Sequence, residues 1–189
     1  MFRRVIFVFC SGLIACASSG ENSPIDDKCA VPTPAGSIPP VFIALSRDFA
    51  GYLSWPIGAW HEQVSGGAAL FSPHIGHADV YINRLPPAGS DSFPVGTVIV
   101  KVLLPDATTT TAGQVLGMVK RGGGFNSSGA TDWEWFEIVG GDCQPNILWR
   151  GNGPPAGEGY GKSGVTCNSC HGLARNNDFV QTSGLKLKK

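Results

Sequence analysis

The chain lacks an excess of charge of either sign: 14 basic side chains balance 14 acidic ones over 189 residues, and charged residues make up only 15% of it. No basic patch stands out, so no nucleic-acid partner is expected. An apolar run of the about 20 residues needed to cross a bilayer is also missing, and so is any internal repeat. What is present, 42% hydrophobic residues in a chain of this length, suits one domain able to bury a core without metals or disulfides as staples.

The N-terminus has its own pattern. Arg3 and Arg4 precede Val5 to Phe9, and the apolar stretch runs on to Leu13-Ile14-Ala15, which predicts an export leader over residues 1–15. Leu13-Ile14-Ala15-Cys16 fits a bacterial lipoprotein cleavage box, so residues 1–15 are expected to be removed and Cys16 lipidated. An ordinary signal peptide followed by a coincidental cysteine is the alternative. Lipoprotein processing adds more than one acyl chain, as stable anchoring requires. The expected location is therefore the bacterial cell envelope, facing the periplasm and held to a membrane by lipid. Ala17, where Asp would follow an inner-membrane anchor, favours the outer membrane. From Cys16 to Pro40, Ser, Pro, Gly and Asp dominate, which reads as a flexible tether over residues 16–40.

Of the six cysteines, Cys10 leaves with the leader, Cys16 takes the lipid, and Cys167 and Cys170 belong to the motif below. Cys29 and Cys143 remain as a candidate disulfide in an oxidising compartment, with two separate thiols as the other outcome.

Phe42, Leu45, Phe49, Tyr52 and Leu53 are spaced as a helical stripe between Val41 and Trp55, closed by Pro56. The period then changes. Residues 77–83, 96–104, 114–120 and 131–139 are rich in Val, Ile and aromatics and are separated by turn residues such as Pro86-Pro87, Pro105-Asp106 and Gly122-Gly123-Gly124. Residues 147–150 extend the series. Short turns without helical crossovers imply antiparallel pairing, and the expected class is α+β, an antiparallel sheet with a few packed helices. After a Gly/Pro-rich loop over 151–164, residues 165–175 read as a helix, and Asn177-Asp178 as the cap of another. One folded domain is expected over 41–183, with a solvated basic tail over 184–189.

The chemistry concentrates in Cys167-Asn168-Ser169-Cys170-His171. Two thiols one turn apart can add to the two vinyl groups of a haem, and the imidazole that follows can bind its iron, so one covalent haem c is expected with His171 as proximal ligand. No second Cys pair or paired histidines at zinc spacing supports a zinc site. A redox Cys-x-x-Cys would belong after an N-terminal strand. Downstream of His171 there is neither Met nor His, so a sixth ligand would come from upstream: Met118, His61, His74 or His77. Met118 reads better as core packing, the histidines as solvated or hydrogen-bonded groups, and a five-coordinate iron is expected.

A C-terminal haem with an open iron also describes the four-helix cytochromes c-prime, which the strand-rich middle excludes. Val80-Tyr81-Ile82-Asn83, Phe93-Pro94-Val95-Gly96-Thr97-Val98-Ile99-Val100-Lys101, Trp133-Glu134-Trp135-Phe136 after a glycine-rich turn, Cys167 to His171, and Asp178-Phe179-Val180-Gln181-Thr182 occur in an order that resembles the cytochrome P-460 family and the related β-type cytochromes c-prime. The resemblance covers residues 55–182. It implies an antiparallel sheet with haem held against it, a homodimer, and oxidation of a small nitrogen compound such as hydroxylamine, with electrons passing to an external acceptor such as another cytochrome. It also implies that Lys101 corresponds to the lysine cross-linked to the haem in the enzymes. Alternation places Lys101 on one strand face with Thr97, Ile99 and Leu103, in largely apolar surroundings that favour the neutral amine. A lysine paired with a carboxylate or propionate, or reaching water, is the other reading. The enzymes carry a helping carboxylate after that lysine, whereas residues 114–121 here contain no acid, leaving Glu62, Glu134 and Glu137 as substitutes. Relatives without turnover bind nitric oxide in an apolar pocket, for which Phe42, Phe49, Phe71, Trp133, Trp135 and Phe136 are the candidate wall. Nitric oxide binding and plain electron transfer are thus the alternatives to oxidation.

Overall fold

The computed structural model describes residues 40–64, 76–104, 113–156 and 166–187. Among these residues, six strands form one sheet: β1 (Ala59–Val64), β2 (Gly76–Ile82), β3 (Val98–Leu104), β4 (Val115–Lys120), β5 (Trp133–Gly141) and β6 (Gln144–Gly151). They lie side by side in chain order, every neighbouring pair antiparallel. With short helices packed on it, the chain is α+β. Residues 1–39 lie outside the described set, and with them the expected leader, Cys16, Cys29 and nearly all of the tether. Cys143 is disulfide-bonded, with its partner also outside that set. No helix among the described residues is long and apolar enough to cross a membrane.

Both sheet faces are covered, which is why β3 reads Val98-Ile99-Val100 with every residue buried rather than alternating. One face is covered by residues 42–55: Ala44, Phe49, Tyr52 and Trp55 pack on Tyr81, Val98, Val100, Val102, Val119, Phe136 and Ile138. The other is covered by the C-terminal segment, with Phe179, Val180, Leu185 and Leu187 packed on Val80, Ile82, Ile99, Met118, Trp133, Trp135 and Trp149.

Residues 41–55 are not the single amphipathic helix that their spacing predicts. They make two 3-10 turns, Ser46–Phe49 and Tyr52–Ser54, separated by extended Ala50 and by Gly51 at φ 71°. Tertiary bonds override the local period: Asp142 accepts from Gly51 N through its carbonyl (3.0 Å) and from Leu53 N through its side chain (3.2 Å). The next strand, β1, is absent from the sequence reading because Ala59-Trp60-His61-Glu62-Gln63-Val64 has a polar centre, as suits a sheet edge.

The C-terminal expectations are corrected as well. The predicted helix over 165–175 is a five-residue helix, α1 (Cys167–His171), followed by a 3-10 segment over Gly172–Asn177. Asn177-Asp178 caps no further helix. Instead the Asn177 amide donates to Val180 O and Leu185 O and accepts from Leu187 N. This draws Leu185 and Leu187 into the core, so the segment from 184 on does not begin as a solvated tail.

Gly117, in the middle of β4, shows what close packing demands. A Cβ there would lie 2.8 Å from Phe49 Cε1 and 3.3 Å from Phe136 Cβ. Gly117→Val should therefore cost about 1–3 kcal/mol by overpacking. An unchanged midpoint in chemical denaturation would refute that packing.

Candidate functional site

Strand registry assembles one row across the sheet: Trp60, Val80, Lys101, Leu116, Glu137 and Trp149 face one another in turn. A second row runs Ile82, Ile99, Met118 and Trp135. The break in registry between Glu137 and Ile138 matters here. Glu137 pairs with Trp149 and Ile138 with Ile147, so Trp149 joins this face while Ile147 packs on the opposite one. A bulge of this kind re-aims side chains that simple alternation would place together.

Helix α1 lies against this face through Cys167. Thr166 caps it, its hydroxyl accepting from Ser169 N at 3.1 Å while Ser169 Oγ accepts from Thr166 N at 2.8 Å. Cys167 and Cys170 are free thiols, both half-buried, and burial pushes the Cys167 thiol up to about 11, so it is protonated at neutral pH. The His171 ring lies 4.5 Å from that of Trp135, centroid to centroid. Its Nδ1 is 2.7 Å from the carbonyl oxygen of Phe179. A carbonyl only accepts, so Nδ1 carries the hydrogen and Nε2 keeps the lone pair. Burial brings the imidazole down to about 4, opposed by the Phe179 carbonyl, reinforced by the Lys101 charge and opposed by Glu62. The ring is neutral at pH 7. Among the described residues, no three or more His, Cys, Asp or Glu side chains are placed to hold one metal ion.

Lys101 shares this face, as alternation predicts, but not in apolar surroundings: its amine pairs with Glu62 at 3.2 Å. Of the three candidate carboxylates, Glu62 and Glu137 face the site. Glu137 accepts from Trp149 Nε1 at 2.8 Å and from Gln114 at 3.0 Å. Glu134 is on the opposite face of β5, buried between Arg150 (2.7 Å) and Arg121 (3.2 Å), and is ruled out.

Alternation also sorts the other candidates. His61 is 84% exposed and pairs with Asp79, on the side of β1 away from Trp60. His77 alternates with Ala78 and Val80 of the site face and so lies on the other side. His74 and Phe71 lie outside the described residues. Met118 is on the site face, 6% exposed within the core. The expected aromatic wall divides: Trp133 and Trp135 belong to this side, but Phe42, Phe49 and Phe136 belong to the opposite core. Trp60, Trp149 and Phe179 also reach this side, though nothing in their sequence spacing marks them. Only registry, a bulge and a turn place them here.

No protein-family model and no curated protein matches the chain.

The His171 shift has a stability consequence. With an unfolded-state value near 6.5 and a folded value near 4, the unfolded chain binds the extra proton, so stability is full above pH 6.5 and falls as pH drops toward 4. In the cofactor-free chain, wild type should lose more stability over that window than His171→Phe. Equal losses in denaturant titrations at pH 7 and pH 4.5 would refute a half-buried imidazole held neutral.

Proposed function

We propose that the chain is an exported c-type cytochrome of the P-460 type, carrying one haem c and oxidising a small nitrogen compound, hydroxylamine first, with electrons passed to an external acceptor. The observation that carries this reading is the Nδ1 hydrogen bond from His171 to the Phe179 carbonyl at 2.7 Å. It selects the tautomer whose Nε2 can ligate iron, as the second partner of a metal-binding histidine does. The rest of the donor set suits haem: Cys167 and Cys170 are free and one turn apart, the spacing that thioether bonds to the two vinyl groups of one porphyrin need.

Cys167 and Cys170 would hold the haem by thioether bonds and His171 would bind its iron. When bound, the haem supplies an iron with an open position for a small ligand and a route for electrons to leave one at a time. The chain's own residues then handle protons and water. Glu137 on β5, held by Trp149 and Gln114, is an aligned proton acceptor beside apolar Leu116 of β4. Glu62 holds the Lys101 ammonium at 3.2 Å and so fixes where that side chain would stand beside the haem. Ile99, Leu116 and Met118 exclude water between these polar groups. The lipid on Cys16 and an envelope location belong to the same proposal.

Nitric oxide binding without turnover is the second reading. It is favoured by β4, which presents Leu116 and Met118 but no carboxylate to this face, and by the prior engagement of Glu62 and Glu137. The ferrous absorption spectrum and a digest of the exported protein discriminate. A strongly red-shifted Soret band, a Lys101-to-haem adduct and hydroxylamine turnover falling about 10²-fold in Glu137→Gln are expected for the oxidase. An ordinary high-spin spectrum, no adduct and no turnover would leave the binder. Met118→Ala should leave the spectrum unchanged, and a changed one would make the protein an electron carrier with Met118 as sixth ligand.

A further inference from the structure

We infer that Asn168, between the two cysteines, is a positioning residue that fixes the Trp135 indole across the His171 imidazole. Its effect on a bound haem rests on the reading above; its hold on Trp135 does not. Asn168 Oδ1 accepts three hydrogen bonds, from Trp135 Nε1 at 3.0 Å, Ala130 N at 3.2 Å and Asn126 Nδ2 at 2.7 Å. Its Nδ2 donates two, to Asn126 Oδ1 at 2.9 Å and Asn152 O at 3.1 Å. The orientation of a side-chain amide is ordinarily ambiguous, but here the partners decide it. An indole N–H and a peptide N–H can only donate, and the Asn152 carbonyl can only accept. Asn126 is fixed in the same way, because its Nδ2 donates to Trp133 O at 3.1 Å.

The surroundings are shaped to this one side chain. Gly129 can carry no Cβ, which would lie 2.4 Å from Asn168 Cγ and Nδ2. Asn126 is 6% exposed and stands at φ 55°, a left-handed conformation that asparagine tolerates better than most residues. Every hydrogen-bonding site of Asn168 that faces the protein is engaged, so the carboxamide cannot rotate without breaking several bonds together. Two consequences follow for the site. The Cys167–His171 helix is tied to the loop before β5, and the Trp135 ring, held by its N–H, keeps its tilted contact with the His171 ring at 49°. Imidazole rotation is thereby limited from the sheet side by Trp135 and from the chain side by the Phe179 carbonyl. A residue that only stabilised the turn would engage the helix but have no bond to Trp135.

The test compares Asn168→Ala, Asn168→Asp and Trp135→Phe with wild type in the full exported protein. Haem staining is read first. The ultraviolet resonance Raman band sensitive to indole N–H bonding then reports on Trp135, and the iron–histidine stretch of the ferrous form reports on His171. Aspartate keeps the acceptor for Trp135 but loses both donated bonds, so Asn168→Asp should lower the melting temperature while retaining a bonded indole and the wild-type stretch. Asn168→Ala should lose the indole bond and shift the stretch in the same direction as Trp135→Phe. A wild-type stretch in Asn168→Ala, or equal shifts in the Ala and Asp variants, would reduce Asn168 to a stabilising residue and overturn the inference. If Asn168→Ala does not fold, an unshifted stretch in Trp135→Phe overturns it equally, and a shifted one with Asn168→Asp unshifted sustains it. An unstained wild type would reject the haem reading alone, and the indole band, bonded in wild type and Asn168→Asp and free in Asn168→Ala, would still decide whether Asn168 holds Trp135.

Discussion

His171 meets the carbonyl of a residue only eight positions further along the chain, and it does so across a sharp reversal. After the 3-10 segment, Asp178 and Phe179 both stand in the left-handed region, at φ 50° and 65°. That conformation costs a non-glycine residue on the order of 1–3 kcal/mol, and the surroundings hold it. Asp178 binds buried Lys120 at 2.7 Å with one oxygen and Phe93 N at 2.8 Å with the other, and Phe179 sits in the core. Lys120 is further engaged by the Trp133 ring, 5.2 Å from its centroid. Breaking such a pair from one side leaves an uncompensated buried charge. The imidazole's tautomer therefore depends on an ion pair between β4 and the turn.

The same turn brings the C-terminal segment back over the sheet, where Asn177 fastens it and Leu185 and Leu187 bury themselves. One strand face thus becomes the floor of the site and the returning chain its cover. The opposite face is closed by residues 42–55, which hold no site residue but complete the second core. Along the floor, Lys101 is paired with Glu62 and Glu137 with Trp149 and Gln114, and Asn168 of α1 reaches down to Trp135.

Much of this frame is legible in the sequence. β2 to β5 stand out as runs of Val, Ile and aromatics, short turns imply the meander, and alternation places Lys101 with Ile99. The C-x-x-C-H spacing places its three groups on one short helix. Other features are illegible for physical reasons. β1 has a polar centre because it is an edge, so it shows no strand pattern. The stripe from Phe42 to Leu53 has helical spacing, yet bonds to Asp142 and the left-handed Gly51 break it into two turns. The bulge at Glu137 and Ile138 puts Ile147 and Trp149, two residues apart, on opposite faces. Phe49 and Phe136 look equivalent to Trp135 in composition and differ only in which side of the sheet they reach.

We propose that Cys167, Cys170 and His171 form a covalent haem site. The most direct measurement is the intact mass of the exported protein beside that of Cys167→Ser/Cys170→Ser, each with haem staining of a denaturing gel. A wild-type mass heavier by one haem and a stained band are expected, both lost in the double variant. A wild-type chain at its plain polypeptide mass and without stain, isolated from cells that attach haem to other exported cytochromes, would contradict it.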